Sequence, residues 1–428
     1  MLRKSDSNKI PSSHPPNFPP SSSAALLWDE SFLWGVMAHK ALLACGLACD
    51  LIRAGDVRSG RLRNYTLLFV PGGWASNKIK ALGSDGIEEI KRFVHDGGAY
   101  LGFCGGAGLA TMDGIGLVPV KRRPTKDRVP SFSGRIGLSS SPHPLWQGIA
   151  EPVFHAWWPS QFVVDGQVSV LATYAEALPD SFSSDVNAGD AAAAGSWSEL
   201  ERLYQINLDP RRLYGEPAVI EGRFGEGKVL LSLVHFDTPG DANGTKALGN
   251  IWRYLGCDQQ TKRADVSESP GAHNCGASRH PLMPELVTAV NGLIDLGLRN
   301  FLWFRRNSML LQWRRGVRGL EYCTLSVMVN ELAELLEMGA GKREMPELDR
   351  SLTRIRELLL PFAAKAQGLL VRERFAMQNS HITYERCDDP EIQKIREELF
   401  SRSKSHGGLF KELIDEVDRL LYNALTRP

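Results

Sequence analysis

The 428 residues contain no uninterrupted run of 18 apolar side chains, so no segment reads as a membrane-spanning helix. The opening stretch, "MLRKSDSNKIPSSHPPNFPPSSS", lacks the apolar core of a signal peptide. Charge of one sign is missing too: 50 basic residues face 49 acidic ones, and this balance calls for neither nucleic acid nor a membrane surface as partner. The seven cysteines (45, 49, 104, 257, 275, 323 and 387) are odd in number and scattered, which excludes a disulfide framework and predicts reduced thiols. Ligand spacing is also lacking. Cys45 and Cys49 in "ALLACGLACDLI" fall four apart on one face of an apolar helix, with no second Cys/His pair nearby, and read as core. No metal and no organic cofactor is therefore expected. There is no repeat of fixed period. What remains is a globular, cytoplasmic protein whose 43% hydrophobic content suffices for the cores of two or three domains.

Residues 1–22, rich in Pro, Ser and Asn, are expected to be disordered. From Ala24 the elements alternate: "AALLWD" reads as a strand, "LWGVMAHKALLACG" as a helix, "ACDLIRAG" and "YTLLFVPGG" as strands. "DGIEEIKRFVHDGG" carries a helical stripe of Ile87, Ile90, Phe93 and Val94, stopped by Gly97 and Gly98. This alternation predicts an α/β domain over 23–258, built on a mostly parallel sheet with crossover helices. Residues 114–175 hold short β-like runs and read as antiparallel additions, and the low-complexity stretch 178–197 reads as an exposed loop or disordered insertion. "EPAVIEGRFGEGKVLLSLVHFD" reads as two strands joined by a turn at 225–227. A polar stretch, 259–284, reads as a linker. Beyond it, apolar positions at helical spacing over 285–305, 306–338, 347–378 and 391–426 predict an all-α domain, 285–428.

The stretch "GGAYLGFCGGAGLAT", 97–111, surrounds Cys104 with six glycines. A buried strand followed by a glycine-opened helix places Cys104 at a strand-to-helix turn, with the spacing of the nucleophile elbow and a thiol in place of the hydroxyl. Such a turn fits three readings: an activated nucleophile, a phosphate cradle on the helix N-terminus, or close packing around an inert cysteine. An attacking thiol needs a base, and the base needs an acceptor on its other nitrogen. "LLSLVHFDTPG" offers His235 and Asp237 two residues apart at another strand end. "FVPGGWASN" ends a third strand with Gly72 and Gly73, whose backbone N–H groups, with that of Gly105, suit an oxyanion hole. Open parallel sheets gather their sites beyond such strand ends.

The segments "LLFVPGGW", "FVHDGGAYLGFCGGAGLA", "HPLWQGI", "WWPSQF" and "GEGKVLLSLVHFDTP", spanning 24–256, resemble the class I glutamine amidotransferase-like superfamily. Within it they are most similar to the N-terminal domain of biotin-protein ligases, which also occurs in stand-alone bacterial proteins. The resemblance implies a flavodoxin-like sheet and a Cys-His-acid triad of Cys104, His235 and Asp237, with Gly73 and Gly105 at the oxyanion positions. It also has departures. Glutaminases of this superfamily commonly carry a substrate-holding glutamine four residues after the cysteine, where this chain has Gly108, and a Glu in His-Pro-Glu where this chain has "HFD". No Gly-Arg-Gly-Arg type loop is present, so biotin ligation is not expected.

The resulting expectation is a Cys-dependent amidase or amidotransferase-like hydrolase acting on a small-molecule or peptide amide. The alternatives are a non-catalytic binding or regulatory module and an oxidisable sensor thiol. "WWPSQ", 157–161, offers Trp158 and Gln161 as pocket wall and polar contact, against the plainer reading of core aromatics. The arginine-rich, aromatic stretch 299–322 reads either as a membrane-surface helix or an anion or RNA contact, or as a bundle helix paired with the acidic "NELAELLEMG". Charges at i,i+4 in the last helices mark a solvated face or a surface for a protein partner or a second copy.

Overall fold

The computed structural model describes residues 24–257, 280–339, 345–379, 382–383, 387–402 and 405–426. The expected disordered segment 1–22 lies outside them, as does the 259–284 linker except for 280–284. Four short strands open the fold: β1 (Ala24–Leu27), β2 (Cys49–Ile52), β3 (Leu67–Val70) and β4 (Ala99–Phe103). Every residue of β1, β3 and β4 is buried, as strands covered by helices on both faces must be. The helices that follow each strand in turn are α1 (Leu33–Ala44), α2 (Ala54–Arg58), α3 (Ala75–His95) and α4 (Gly105–Ala110).

The next strands are β5 (Val120–Arg122), β6 (Phe132–Ser140), β7 (Val153–Trp157), β8 (Phe162–Val164), β9 (Ser169–Ala177), β10 (Phe182–Ser183), β11 (Val186–Asn187), β12 (Pro217–Phe224) and β13 (Gly227–Ser232). An 11-stranded sheet runs β11-β10-β6-β9-β12-β13-β4-β3-β1-β2, with β7 also paired to β6. Its β2-β1-β3-β4-β13 portion is parallel. Numbered along the chain, that order is 2-1-3-4-5, the flavodoxin-like order. The other pairings are antiparallel, so the sheet as a whole is mixed and β13 is the strand where its two parts meet.

Residues 178–197 are ordered, contrary to the loop expectation. Phe182 and Ser183 pair with Ser133 and Phe132 of β6, and α5 (Ala188–Ala193) and α6 (Trp197–Tyr204) bury a small cluster of Ala188, Ala191, Trp197 and Leu208. A run of small residues can be compact when one tryptophan fills the space between them. Cys45 and Cys49 do not share a helix face either: α1 stops at Ala44, Gly46 takes φ 66°, and Cys49 starts β2.

After α7 (Ala242–Tyr254) comes the C-terminal part: α8 (Met283–Arg299), β14 (Trp303–Arg305), β15 (Leu311–Trp313), α9 (Gly319–Glu337), α10 (Met345–Asn379), α11 (Pro390–Phe400) and α12 (Gly408–Thr426). The stretch 299–322 is therefore not one helix: a β-hairpin interrupts it. Asn307 Oδ1 accepts the N–H groups of both Met309 and Leu310 at 2.8 Å, an Asx turn that competes with helix. Its arginines reach both parts of the chain: Arg318 pairs with Glu321 in the first turn of α9 at 3.0 Å. Arg306 donates to the carbonyls of Ser133 and Asp180, and the Arg315 N–H donates to Asp185. The hairpin is thereby pinned to the α/β part, where Gln312 also accepts from Ser133 Oγ at 2.6 Å. Arg53 bridges Asp29 and Asp418, Lys411 reaches Glu30, and one cluster of buried apolar residues runs through both parts. Among the described residues no helix is long and apolar enough to cross a membrane, and the six described cysteines are free thiols.

Candidate active site

At the end of β4 the chain turns so sharply that Cys104 adopts φ 47°, ψ −102°, a strained conformation for a residue with a side chain. Its N–H donates to Ser232 O at 2.8 Å and its carbonyl accepts from Gly108 N–H at 2.9 Å, so both neighbours of the turn hold it. The bare surroundings have a steric cause. A Cβ on Gly105 would lie 1.8 Å from Gly73 O, and one on Gly106 would lie 1.9 Å from Val70 O. Only glycine lets α4 press against the end of β3, and that approach leaves the Cys104 sulfur half-exposed, 3.9 Å from Trp157 O.

His235 and Asp237 sit in the turn that follows β13, both fully buried, with Nδ1 and Oδ1 2.9 Å apart. The turn is fixed by the His235 N–H donating to His155 O at 2.8 Å, and by Thr238 Oγ1, which donates to His235 O and accepts from Trp157 Nε1. Trp34 lies over the imidazole with ring centroids 4.8 Å apart. Burial works against a charge on His235, but the Asp237 carboxylate and the Cys104 sulfur outweigh it and hold its pKa up at about 10. The ring therefore keeps its proton at neutral pH. Its Nε2 has no nitrogen or oxygen partner, and the Cys104 sulfur is the group that biases it.

Cys104, Gly73 and Trp158 line one cavity of about 390 Å³. Gly105 opens α4, so its N–H is among those a helix leaves without an internal acceptor. Two expected residues lie elsewhere. Gly72 is covered by Trp34, whose ring would meet a Cβ there at 2.8 Å, and it does not face the cavity. Gln161 is buried and its Oε1 accepts the Val129 N–H at 2.9 Å, so it braces a neighbouring loop and holds nothing in the cavity. Sequence reasoning missed Trp34, and did not bring Trp313, Arg318 and Glu321 of the 299–322 stretch to this site; all four are in the cavity wall. Trp34 had a signal: it follows β1, whose C-terminal end faces the same side as those of β3 and β4. The other three come from the far end of the chain, where the arginine-rich, aromatic composition of 299–322 was a signal without an address.

Residues 61–113 match the sequence profile of the family described as "Biotin-protein ligase, N terminal". That segment contains β3, Gly73, α3, β4 and Cys104. No curated protein matches the chain in sequence. Similar solved structures include PurLQS from Thermotoga maritima, with 16% identity and TM-score 0.38 over 55% of this chain and 99% of that one. A glutamine amidotransferase from the same organism has 10% identity and TM-score 0.33 over 55% and 83%. A beta-galactosidase from Bacillus circulans sp. alkalophilus has 14% identity and TM-score 0.34 over 55% and 31%. The α/β part carries the flavodoxin-like strand order in its parallel portion, and the profile match falls within it. Among the described residues no three His, Cys, Asp or Glu side chains come together in a group able to hold a metal ion.

Proposed function

We propose that the chain is a cysteine-nucleophile hydrolase that cleaves an amide through a thioester. The observation that carries this reading is the strained Cys104 at the strand end next to that of the buried His235, which Asp237 orients at 2.9 Å. The thiolate of Cys104 attacks the amide carbonyl, and the N–H groups of Gly73 and Gly105 stabilise the oxyanion. His235 gives its Nε2 proton to the departing nitrogen, so the amine leaves and a thioester remains. Now neutral, His235 takes a proton from water as it attacks the thioester; the carboxylic acid forms and Cys104 departs as the thiolate, which restores the pair. Throughout, Asp237 holds the Nδ1–H tautomer.

Free glutamine is the less suitable amide. A Cβ at Gly108 would lie 3.1 Å from Arg122 Nη1, so a guanidinium fills the place where a longer side chain would extend. The alternative, a binding module without turnover, differs in one outcome. Incubating the full chain with activated esters and amides and analysing it intact by mass spectrometry is expected to show an acyl adduct on Cys104, absent from Cys104→Ala and long-lived in His235→Gln. A native protein that never acylates at Cys104 would sink the hydrolase reading and leave the binding module.

A further inference from the structure

Trp158 carries the second strained backbone in the site, with φ 50°. A bulky aromatic residue in this region is strained and persists only where its surroundings dictate it. Here its N–H donates to Phe132 O at 2.8 Å. Its ring is set between two others: Trp34 edge-on at 6.1 Å and Trp313 tilted by 31° at 4.6 Å. Trp313 belongs to β15 and packs on the first residue of α9, where a Cβ on Gly319 would meet its ring at 2.3 Å. The strain thus serves to complete an apolar aromatic wall, half from the α/β part and half from the C-terminal part, in the cavity that exposes Cys104. At the polar end of that cavity, Arg318 Nη1 lies 3.0 Å from Glu321 Oε1, both buried, and Arg315 lines it as well. About 390 Å³ suits a small organic molecule.

We infer that this cavity is a substrate subsite for amides bearing a flat, apolar ring, and that residues 312–321 of the C-terminal part give the Cys104 centre this specificity. The inference rests on the proposed function only for the chemistry, since binding of the ring needs no reactive thiol.

The test uses the full chain and two alkylating amides, 2-chloroacetamide and N-benzyl-2-chloroacetamide, with each rate at Cys104 divided by the rate with glutathione. The benzyl probe is expected to be favoured about 10-fold or more, the equivalent of one well-made aromatic contact with its burial. Trp313→Ala is expected to cut that preference to within about 2-fold, while Phe375→Ser, on the exposed face of α10, keeps it. Should Trp313→Ala fail to fold, Leu320→Asp alters the same wall with a residue that the first turn of α9 accommodates. No preference in the native protein, or a preference that survives both wall variants, overturns the subsite. Saturable binding of unreactive N-benzylacetamide to Cys104→Ser, read by tryptophan fluorescence, supports the subsite even where the native thiol proves inert. That combination would defeat the hydrolase alone, and a reactive thiol without ring preference would defeat the subsite alone.

Discussion

Two cavities border this site, and each holds a cysteine. The smaller, about 390 Å³, presents Cys104 among tryptophans; the larger, about 740 Å³, lies between α1, α8 and α9 and includes Cys323 with Lys40, Asp295, Arg305 and Glu331. Cys104 is strained and lies where it biases His235. Cys323 is an ordinary helical residue of α9, buried, its S–H donating to Met309 O at 3.0 Å, and burial pushes its thiol up to about 12. In the larger cavity Lys40 pairs with Glu331 and Glu334. Volume therefore does not mark the site. A half-buried sulfur on a strained backbone does, and of the two cavities the smaller has it.

The largest effect that tests this contrast is the selectivity between the two thiols. With limiting iodoacetamide at neutral pH, Cys104 is expected to label at least about 100-fold faster than Cys323, because the attacking species is the thiolate and Cys323 holds its proton. Peptide mapping by mass spectrometry reads the ratio. Comparable labelling of both cysteines would erase the distinction between the cavities.

Next in size is His235→Gln, which keeps an N–H donor for Asp237 but removes the titrating ring. Labelling of Cys104 at neutral pH is expected to slow by about 10-fold or more, with the deficit closing toward pH 10 as any thiol ionises. Stability moves with a defined sign. His235 has its folded-state pKa raised to about 10 from an ordinary 6.5, so the stability it contributes is complete below pH 6.5 and is lost as pH rises through about 10. The gap in urea midpoint between the native protein and His235→Gln is therefore expected to be widest at pH 6 and to narrow by pH 10. A gap that widens with pH would reverse the assignment of charge on His235. Differencing two chains cancels other buried titrations, among them Lys78, whose pKa burial lowers to about 7.

Much of the proposed triad's arrangement was legible because it rests on local chemistry. The glycines around Cys104 and the His-x-Asp spacing each describe one strand end, and the alternation of elements implied that such ends converge. What was illegible depends on long-range packing. The hairpin of β14 and β15 has three-residue strands, too short for a period of two to show against the helical spacing around them. Its Trp313 reaches the cavity only because Arg306 and Gln312 tie the hairpin to β6 and its neighbours, a partnership between residues about 180 positions apart. Gln161 misled for the opposite reason. It is close to Trp158 in sequence, yet its side chain turns to Val129, since proximity along a chain says little about the direction of a side chain after a turn.

The smallest expected effect lies in the larger cavity, and it sharpens the contrast by its size. Lys40 is the most conspicuous charge there, with Nζ 2.5 Å from Glu331 and 3.6 Å from Glu334. It is also 44% exposed, so water screens the pair, and holding a long side chain in place offsets part of the attraction. Lys40→Met keeps the apolar stem along α1 and removes only the charge. Its expected cost is within about 1 kcal/mol in urea unfolding, shrinking further in 0.5 M salt, with the labelling rate of Cys104 unchanged. A loss of several kcal/mol would mean that this cavity is closed and dry, with the ion pair truly buried. A change in Cys104 reactivity would mean that the two cavities communicate through Asp237, the one triad residue that borders the larger. Either result would return the larger cavity to consideration as part of the working site; neither is expected from a paired, half-exposed lysine on the far side of a fully buried carboxylate.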